Sequence, residues 1–479
     1  MLNFNVVFMP HPPVIIPEIG DGKESSCKDT ILGMDRLGQL VGKLKPQTII
    51  FVTPHGNSFN NGTCILNKQN INGDFSAYGS PQVVFKKQTN VKLANDIFNM
   101  FEKSDFVSIL LDEELAKNYC VDITLDNGVM VPMYFIDKYH SNYDIVHITP
   151  GFTSLKENYC LGQKIQEVIK ERNESVLIVC SGDLSHALKN EGPYDFHPSG
   201  PAFDLMVKKA IIDKNPLSLI TLDKKFLEEA GQCGIRSFLM GFGFLDAIAY
   251  DSKIFSYEGP FGVGYLTGYL SSNDGLKELS LLPDLLNLSM NIYREKIYNE
   301  DDYIKLARLS IENYVNSERK LDLETVRNEF SKDFIKETQS KKAGVFVSIY
   351  KHDELRGCIG TISPVQDDIA EEIIYNSISA CNDDPRFDSV ESNELLELDI
   401  KVDILMEPEM IYSKEELDII KYGVIVEKGS RRGLLLPNLE GIDTVEEQVQ
   451  IAMNKAGIIN ELGMKLYRFR VNRHERLYH

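Results

Sequence analysis

A chain of 479 residues is too long for one ordinary domain, and the usual span of about 100–200 residues per domain predicts roughly two to four. Its 43% hydrophobic and 25% charged residues argue against a largely disordered chain, and its formal net charge of -20 argues against a general nucleic-acid or anionic-membrane binder, since both need basic surface. Eight cysteines without a Cys-x-x-Cys pair argue against a zinc ribbon or a disulfide scaffold; with no apolar stretch near the roughly 20 residues of a membrane span, they predict a soluble protein of the reducing cytoplasm.

No basic residue precedes Lys23, so the N-terminus shows no charged leader of a secretion signal. Val6-Val7-Phe8-Met9 reads as a buried strand running into Pro10-His11-Pro12-Pro13. Residues 31–44 carry apolar side chains at helical spacing, and Ile49-Ile50-Phe51-Val52-Thr53 is the next strand, running into Pro54-His55-Gly56-Asn57 and completing a βαβ unit. Residues 58–89, mixed and rich in Asn, Gly and Gln, read as short strands and loops, a flap over the crevice. A helix over 91–102, strands over 131–136 and 144–149, and a helix over 157–170 follow. His140 falls in a polar turn and reads as solvated surface, and His147 falls inside a strand and reads as a hydrogen-bonded core residue. Val176-Leu177-Ile178-Val179-Cys180 then releases Ser181-Gly182-Asp183-Leu184-Ser185-His186 into a loop. Gly192-Pro193-Tyr194-Asp195-Phe196-His197-Pro198 leaves His197 open between turn residue and site rim. Helices over 203–212, 223–232 and 238–248, with Gly231 marking a break, and a glycine-rich strand over 260–270 complete residues 1–271. The alternation predicts an α/β domain, a largely parallel sheet flanked by helices.

Three strands thus each deliver a histidine just past their C-terminal ends, where ligands of open α/β sheets bind. Two neutral imidazoles and a carboxylate on one face form the non-haem Fe(II) arrangement. His11 and His55 are the candidate nitrogens, and the third ligand is sought in Glu228-Glu229-Ala230-Gly231-Gln232-Cys233. Glu229 and Cys233 are four apart, on one face if the helix is unbroken. His186 is then free to act as a base near pH 7 on a metal-bound phenolic hydroxyl, with Asp183 orienting its imidazole.

Met9-Pro10-His11-Pro12, Thr53-Pro54-His55-Gly56, the Ser181–His186 string and Glu229-Ala230-Gly231-Gln232-Cys233-Gly234 resemble, in order and approximate spacing, the class III LigB-like extradiol ring-cleavage dioxygenases and the related Memo family. The resemblance covers roughly residues 1–271. It implies Fe(II) held by His11, His55 and a third ligand, with His186 as a separate acid/base. In Memo-like proteins a cysteine stands where the dioxygenases have their glutamate. Cys233 matches that cysteine and Glu229 is the alternative carboxylate. Fe(II) is the expected metal, with zinc or copper as alternatives.

Residues 272–301 read as a linker with a docked amphipathic helix over 276–288. From 302 to 479 the pattern becomes α+β: helices over 302–316, 366–380 and 444–456, and strands over 344–350, 355–361, 397–406, 422–428 and 432–436, with a hairpin turning at Lys428-Gly429-Ser430. The motif strings are Leu355-Arg356-Gly357-Cys358-Ile359-Gly360-Thr361, Asn382-Asp383-Asp384-Pro385-Arg386-Phe387 and Gly429-Ser430-Arg431-Arg432-Gly433; they read either as a site where Gly357 and Gly360 permit close approach and Arg356 forks onto a carboxylate or phosphate, or as a small-residue strand with Cys358 in the core and an internal Arg–Asp pair. They resemble the AMMECR-type domain, which in prokaryotes is associated with Memo-like and radical-SAM proteins. A radical-SAM partner is therefore expected, and homo-oligomer formation is left open. The function expected is an Fe(II)-dependent dioxygenase-like protein acting on a catechol-like or other metal-chelating small molecule. The alternative is a non-dioxygenase metal-binding or partner-binding module in a radical-SAM-associated modification pathway.

Overall fold

The apolar runs that end in histidine loops lie side by side at the centre of one sheet. The computed structural model describes residues 4–60, 62–172, 174–273, 280–352, 354–439 and 441–476. Its first strands are β1 (Asn5–Met9), β2 (Thr48–Val52), β3 (Thr63–Leu66), β4 (Asn70–Phe75), β5 (Ser80–Gln88), β6 (Ser108–Leu111), β7 (Asp144–Thr149), β8 (Val176–Ser181), β9 (Tyr250–Glu258) and β10 (Tyr265–Ser272). Eight of them form a sheet in the order β6-β3-β7-β2-β8-β1-β10-β9, and β4 pairs with β5 alone. The four central strands β7, β2, β8 and β1 are mutually parallel, while β3 on β7, β10 on β1 and β9 on β10 are antiparallel. Central parallel strands are covered on both faces, which is why these segments are apolar throughout rather than alternating.

The helices that cover them are α1 (Lys28–Leu44), α2 (Val91–Lys103), α3 (Asn127–Ile136), α4 (Leu155–Lys170), α5 (Ser199–Asp213), α6 (Lys224–Ala230) and α7 (Ile235–Gly243). Side chains of α1 and α3 pack with Val7, Phe51 and Val179 on one face, and those of α2, α4 and α7 pack with Phe8, Ile50 and Ile178 on the other.

Several expectations are corrected. Residues 131–136 are the second half of α3, not a strand; nearly every residue of that helix is buried, so it has no polar stripe to reveal a helical period. The 58–89 segment supplies β3 to the main sheet, and its hairpin packs against α3: a side chain at Gly73 would meet Met130 and Leu125. The strands over 108–111 and 250–258 were not anticipated. His140 is half-buried, its Nε2 2.9 Å from the Pro46 carbonyl, rather than solvated.

The chain divides into two compact units between Leu285 and Leu286, within α8 (Leu282–Tyr298). Residues 274–279, which include the start of the predicted docked helix, lie outside the described residues. The second unit contains α9 (Asp302–Ser317), β11 (Val345–Lys351), β12 (Glu354–Gly360), α10 (Ile369–Asn382), β13 (Leu398–Leu405), β14 (Glu409–Ile411), β15 (Gly423–Lys428), β16 (Arg431–Leu435), α11 (Val445–Ala456), β17 (Lys465–Phe469) and β18 (Val471–His474). Its two four-stranded sheets run β12-β11-β13-β18 and β14-β17-β15-β16. The β15–β16 hairpin turns through Gly429 in the left-handed region, φ 63. Strands β14, β17 and β18 were not anticipated: β14 has three residues, and the other two carry half-exposed basic residues that blur any apolar alternation. Among the described residues no helix is long and apolar enough to cross a membrane.

Candidate metal centre

Because β2, β8 and β1 are consecutive in the sheet, the loops that follow them open onto one edge. His11 is buried, and both of its ends are held. Its peptide N–H donates to Asp183 Oδ1 at 3.0 Å, and Nδ1 lies 2.9 Å from Ser181 Oγ. Assigning the proton to Nδ1 leaves the Nε2 lone pair facing Cys233 Sγ, 3.7 Å away. The His55 ring meets His11 edge to face, centroids 4.6 Å apart and planes at 79°. Cys233 reaches the same point because two glycines let two backbones touch: a Cβ on Gly182 would lie 2.3 Å from the Cα of Gly234. That contact brings the Asp183 N–H within 3.3 Å of the Cys233 sulfur. The candidate ligand atoms of His11, His55 and Cys233 all lie within 4.8 Å of one another.

Burial lowers the pKa of His11 to about 4, against the opposing charge of Asp126. Loss of water around its ring and the neighbouring His11 lower that of His55. Burial, reinforced by Asp183, pushes the Cys233 thiol well above its ordinary value. Burial also raises Asp183 to about 6, although the His11 N–H favours its charged form. At neutral pH these three side chains on their own therefore present two neutral imidazoles and a protonated thiol. A pair of nitrogens and a sulfur that can become a thiolate fit zinc, copper or iron, so this donor set accommodates a divalent ion.

The other candidates fall in different places. His186 is half-buried beside these residues; its peptide N–H points at the carbonyls of Ala230 and Gly231, and its Nε2 is buried without a hydrogen-bond partner among the described residues. Burial lowers its pKa against the pull of Asp183. Asp183 does not orient His186 as expected: no hydrogen bond joins the two, and its carboxylate is committed to His11. Glu229 and Cys233 do not share a helix face. Gly231, at φ 58, ends α6 after Ala230 and turns the chain before α7 begins. Glu229 instead accepts a hydrogen bond from Ser199 Oγ at 2.9 Å and lies 3.8 Å from His197 Nδ1, so this pair sits apart from the three donors.

Sequence reasoning overlooked Asp126, Asn127 and Ser181. Asp126 is the N-cap of α3 and also binds Thr53 and His147. An Asp-Asn-Gly string before an apolar run is a helix-start signal, but reading 131–136 as a strand concealed it.

In the second unit the motif residues are spent on the protein itself. Arg356 holds Glu394 with Nε and Nη2, at 3.1 and 3.0 Å, and donates to the carbonyls of Asp388 and Ser389. Asp384 Oδ2 accepts the Cys358 N–H at 2.8 Å, while Arg386 grips Asp384 and donates to the Cys358 carbonyl at 3.2 Å. Because β12 is an edge strand, these side chains occupy backbone groups that no neighbouring strand takes. The bond from Arg386 keeps Asp384 near 2, and the bond from Arg356 overcomes burial to keep Glu394 near 2. Cys358 accepts a hydrogen bond from Ser348 Oγ, burial raises its pKa, and Arg432 reaches Ser363 Oγ at 3.4 Å. The internal Arg–Asp reading accounts for Asp384 and Arg386, whereas Arg356 pairs with a glutamate, Glu394.

Residues 5–268 match the catalytic LigB subunit of aromatic ring-opening dioxygenase, and residues 304–474 match AMMECR1. A protein from Clostridium acetobutylicum is 39% identical over 467 residues, 98% of either chain. A Thermotoga maritima protein is 46% identical over 179 residues, 37% of this chain and 98% of its own. Among solved structures, an uncharacterized protein from Pyrococcus horikoshii is 30% identical, covers 37% of this chain and 90% of its own, and superposes with a TM-score of 0.32. Metal dependence is general in the LigB family, and His11, His55 and Cys233 are three donors of the kind able to hold an ion. With the LigB match spanning residues 5–268 of 479, the chain belongs to the LigB family of dioxygenase-like proteins and carries an AMMECR1 domain fused behind it.

Proposed function

We propose that the N-terminal unit is a metal-dependent, dioxygenase-type oxidoreductase. His11, His55 and Cys233 hold a divalent ion, Fe(II) in the reading that follows the family, and His186 exchanges a proton with a catechol-like or other metal-chelating small molecule. The observation that carries this reading is the group of three neutral donor atoms within 4.8 Å beside a half-buried imidazole whose Nε2 has no partner among the described residues. A bound ion supplies Lewis acidity toward a chelating hydroxyl. Ser181 holds the His11 ring and Asp183 its peptide N–H in advance, so ligation costs little reorganisation. His186, kept neutral near pH 7 by its lowered pKa, is able to accept the proton that a chelating hydroxyl gives up.

A second reading rests on Glu229. With that carboxylate engaged by Ser199, the third donor is a sulfur, and thiolates favour zinc or copper. In this reading the unit carries metal or binds a partner without opening rings. The C-terminal unit then recruits the partner, a radical-SAM protein being the one the family resemblance implies. Oxygen uptake by anaerobically iron-loaded protein with a panel of catechols separates the two. The first reading expects turnover that His186→Ala lowers roughly 100- to 10,000-fold with metal content intact. Full iron content without oxygen uptake favours the second, and loss of metal in His186→Ala makes His186 a ligand.

A further inference from the structure

Helix α3 begins where both histidine loops need support. Asp126, its N-cap, accepts the Gly128 N–H and the Thr53 hydroxyl at one carboxylate oxygen, each at 2.7 Å. Thr53 Oγ1 in turn accepts the His55 N–H at 3.2 Å. The other carboxylate oxygen takes His147 Nε2 at 2.7 Å. The next residue, Asn127, reaches the His11 carbonyl with Nδ2 at 3.5 Å. Two consecutive residues at the start of one helix therefore connect to the loop after β2 and the loop after β1.

A helix cap alone does not account for this construction. Capping needs one acceptor oxygen, and an exposed side chain provides it equally well. Here the carboxylate is largely buried and its second oxygen faces a histidine that is 1% exposed. The bond to Asp126 is the only hydrogen bond of the His147 ring among the described residues, since Nδ1 has no partner. A buried carboxylate paired with a buried histidine is a poor source of stability. Asp126 does reach the centre, because Thr53 passes its hold to the His55 N–H and the adjacent Asn127 takes the His11 carbonyl.

We propose that Asp126, held by His147, is a positioning residue that sets the separation and orientation of His11 and His55 through Thr53 and Asn127. It does so from outside the set of donor atoms. This rests on the metal-centre reading above. Outer partners of metal ligands are worth about 10- to 100-fold in metal affinity, which fixes the size of the effect to look for.

The test uses the full chain and Co(II) as the probe, read by its ligand-field absorption and by the sulfur-to-cobalt charge-transfer band of Cys233. Asp126→Asn preserves the cap, because Asn caps as well as Asp, and removes the charge. It should melt within a few degrees of the parent, bind Co(II) about 10- to 100-fold more weakly and shift the ligand-field bands. Asp223→Asn alters the cap of α6 and should leave both readouts unchanged. His147→Gln leaves the cap untouched and should weaken Co(II) binding in the same direction; it carries the test if Asp126→Asn fails to fold. Parent-like affinity and spectrum in the folded variants overturn the positioning role alone. A parent protein that takes up no Co(II) overturns the metal centre itself, and the positioning role with it.

Discussion

Gly56, immediately after His55, is where the space around the centre is tightest. A Cβ there would lie 2.1 Å from Thr149 Oγ1 and 2.5 Å from His147 Cε1, roughly 1 Å or more inside the optimum for non-bonded heavy atoms. Neither neighbour yields easily: Thr149 ends a buried central strand, and His147 is fixed by Asp126. The loop must move instead and carry His55 with it. Overpacking of this kind costs about 1–3 kcal/mol, and a displaced ligand should weaken metal binding at least as much as loss of an outer partner, about 10-fold or more. Gly56→Ala is therefore expected to lower both the melting temperature of the N-terminal unit and its affinity for Zn(II) in a competitive chelator titration. A variant that melts and binds like the parent would refute the claim that His55 is held by packing beneath its loop.

Two further outcomes follow from the same geometry. Cys233→Ala should weaken metal uptake far more than Glu229→Ala, because the Glu229 carboxylate is occupied by Ser199; elemental analysis giving the reverse order would restore a carboxylate site. Metal binding should also release about one proton, read with a dye in weak buffer. His11 is already neutral above about pH 4, whereas the raised Cys233 thiol is still protonated at neutral pH and must lose its proton to ligate. Affinity should accordingly rise about tenfold per pH unit between roughly pH 6 and 8, and a flat profile would contradict ligation by the thiol.

What the sequence revealed tracks how local each signal is. A strand that ends in Pro-His or Gly-Asp is written in a few adjacent residues, so the loops carrying His11, His55 and His186 were legible, as were the five strands anticipated in the second unit. The choice between Glu229 and Cys233 was not, because it depends on whether the chain continues through Gly231 as helix or turns there in the left-handed region. The roles of Asp126 and His147 were harder still. His147 pairs in register with Phe51 within the sheet, and its link to Asp126 spans two elements that only the fold brings together. In the second unit, the Arg–Asp pair was anticipated, but its purpose became visible only once β12 proved to be an edge strand.

His11 and Cys233 stand 222 positions apart in the chain, so an unfolded molecule has nothing resembling the donor set. The centre exists only after β1, β2 and β8 have aligned and Gly182 has met Gly234. An ion that binds the assembled donor set in preference to the scattered side chains of the unfolded chain stabilises the fold by mass action. At free metal 100-fold above its Kd the N-terminal unit gains about 2.7 kcal/mol, comparable to the cost assigned above to overfilling the space beneath Gly56. If the site is loaded, metal supply governs how long this unit survives proteolysis, and a chelator shortens that lifetime.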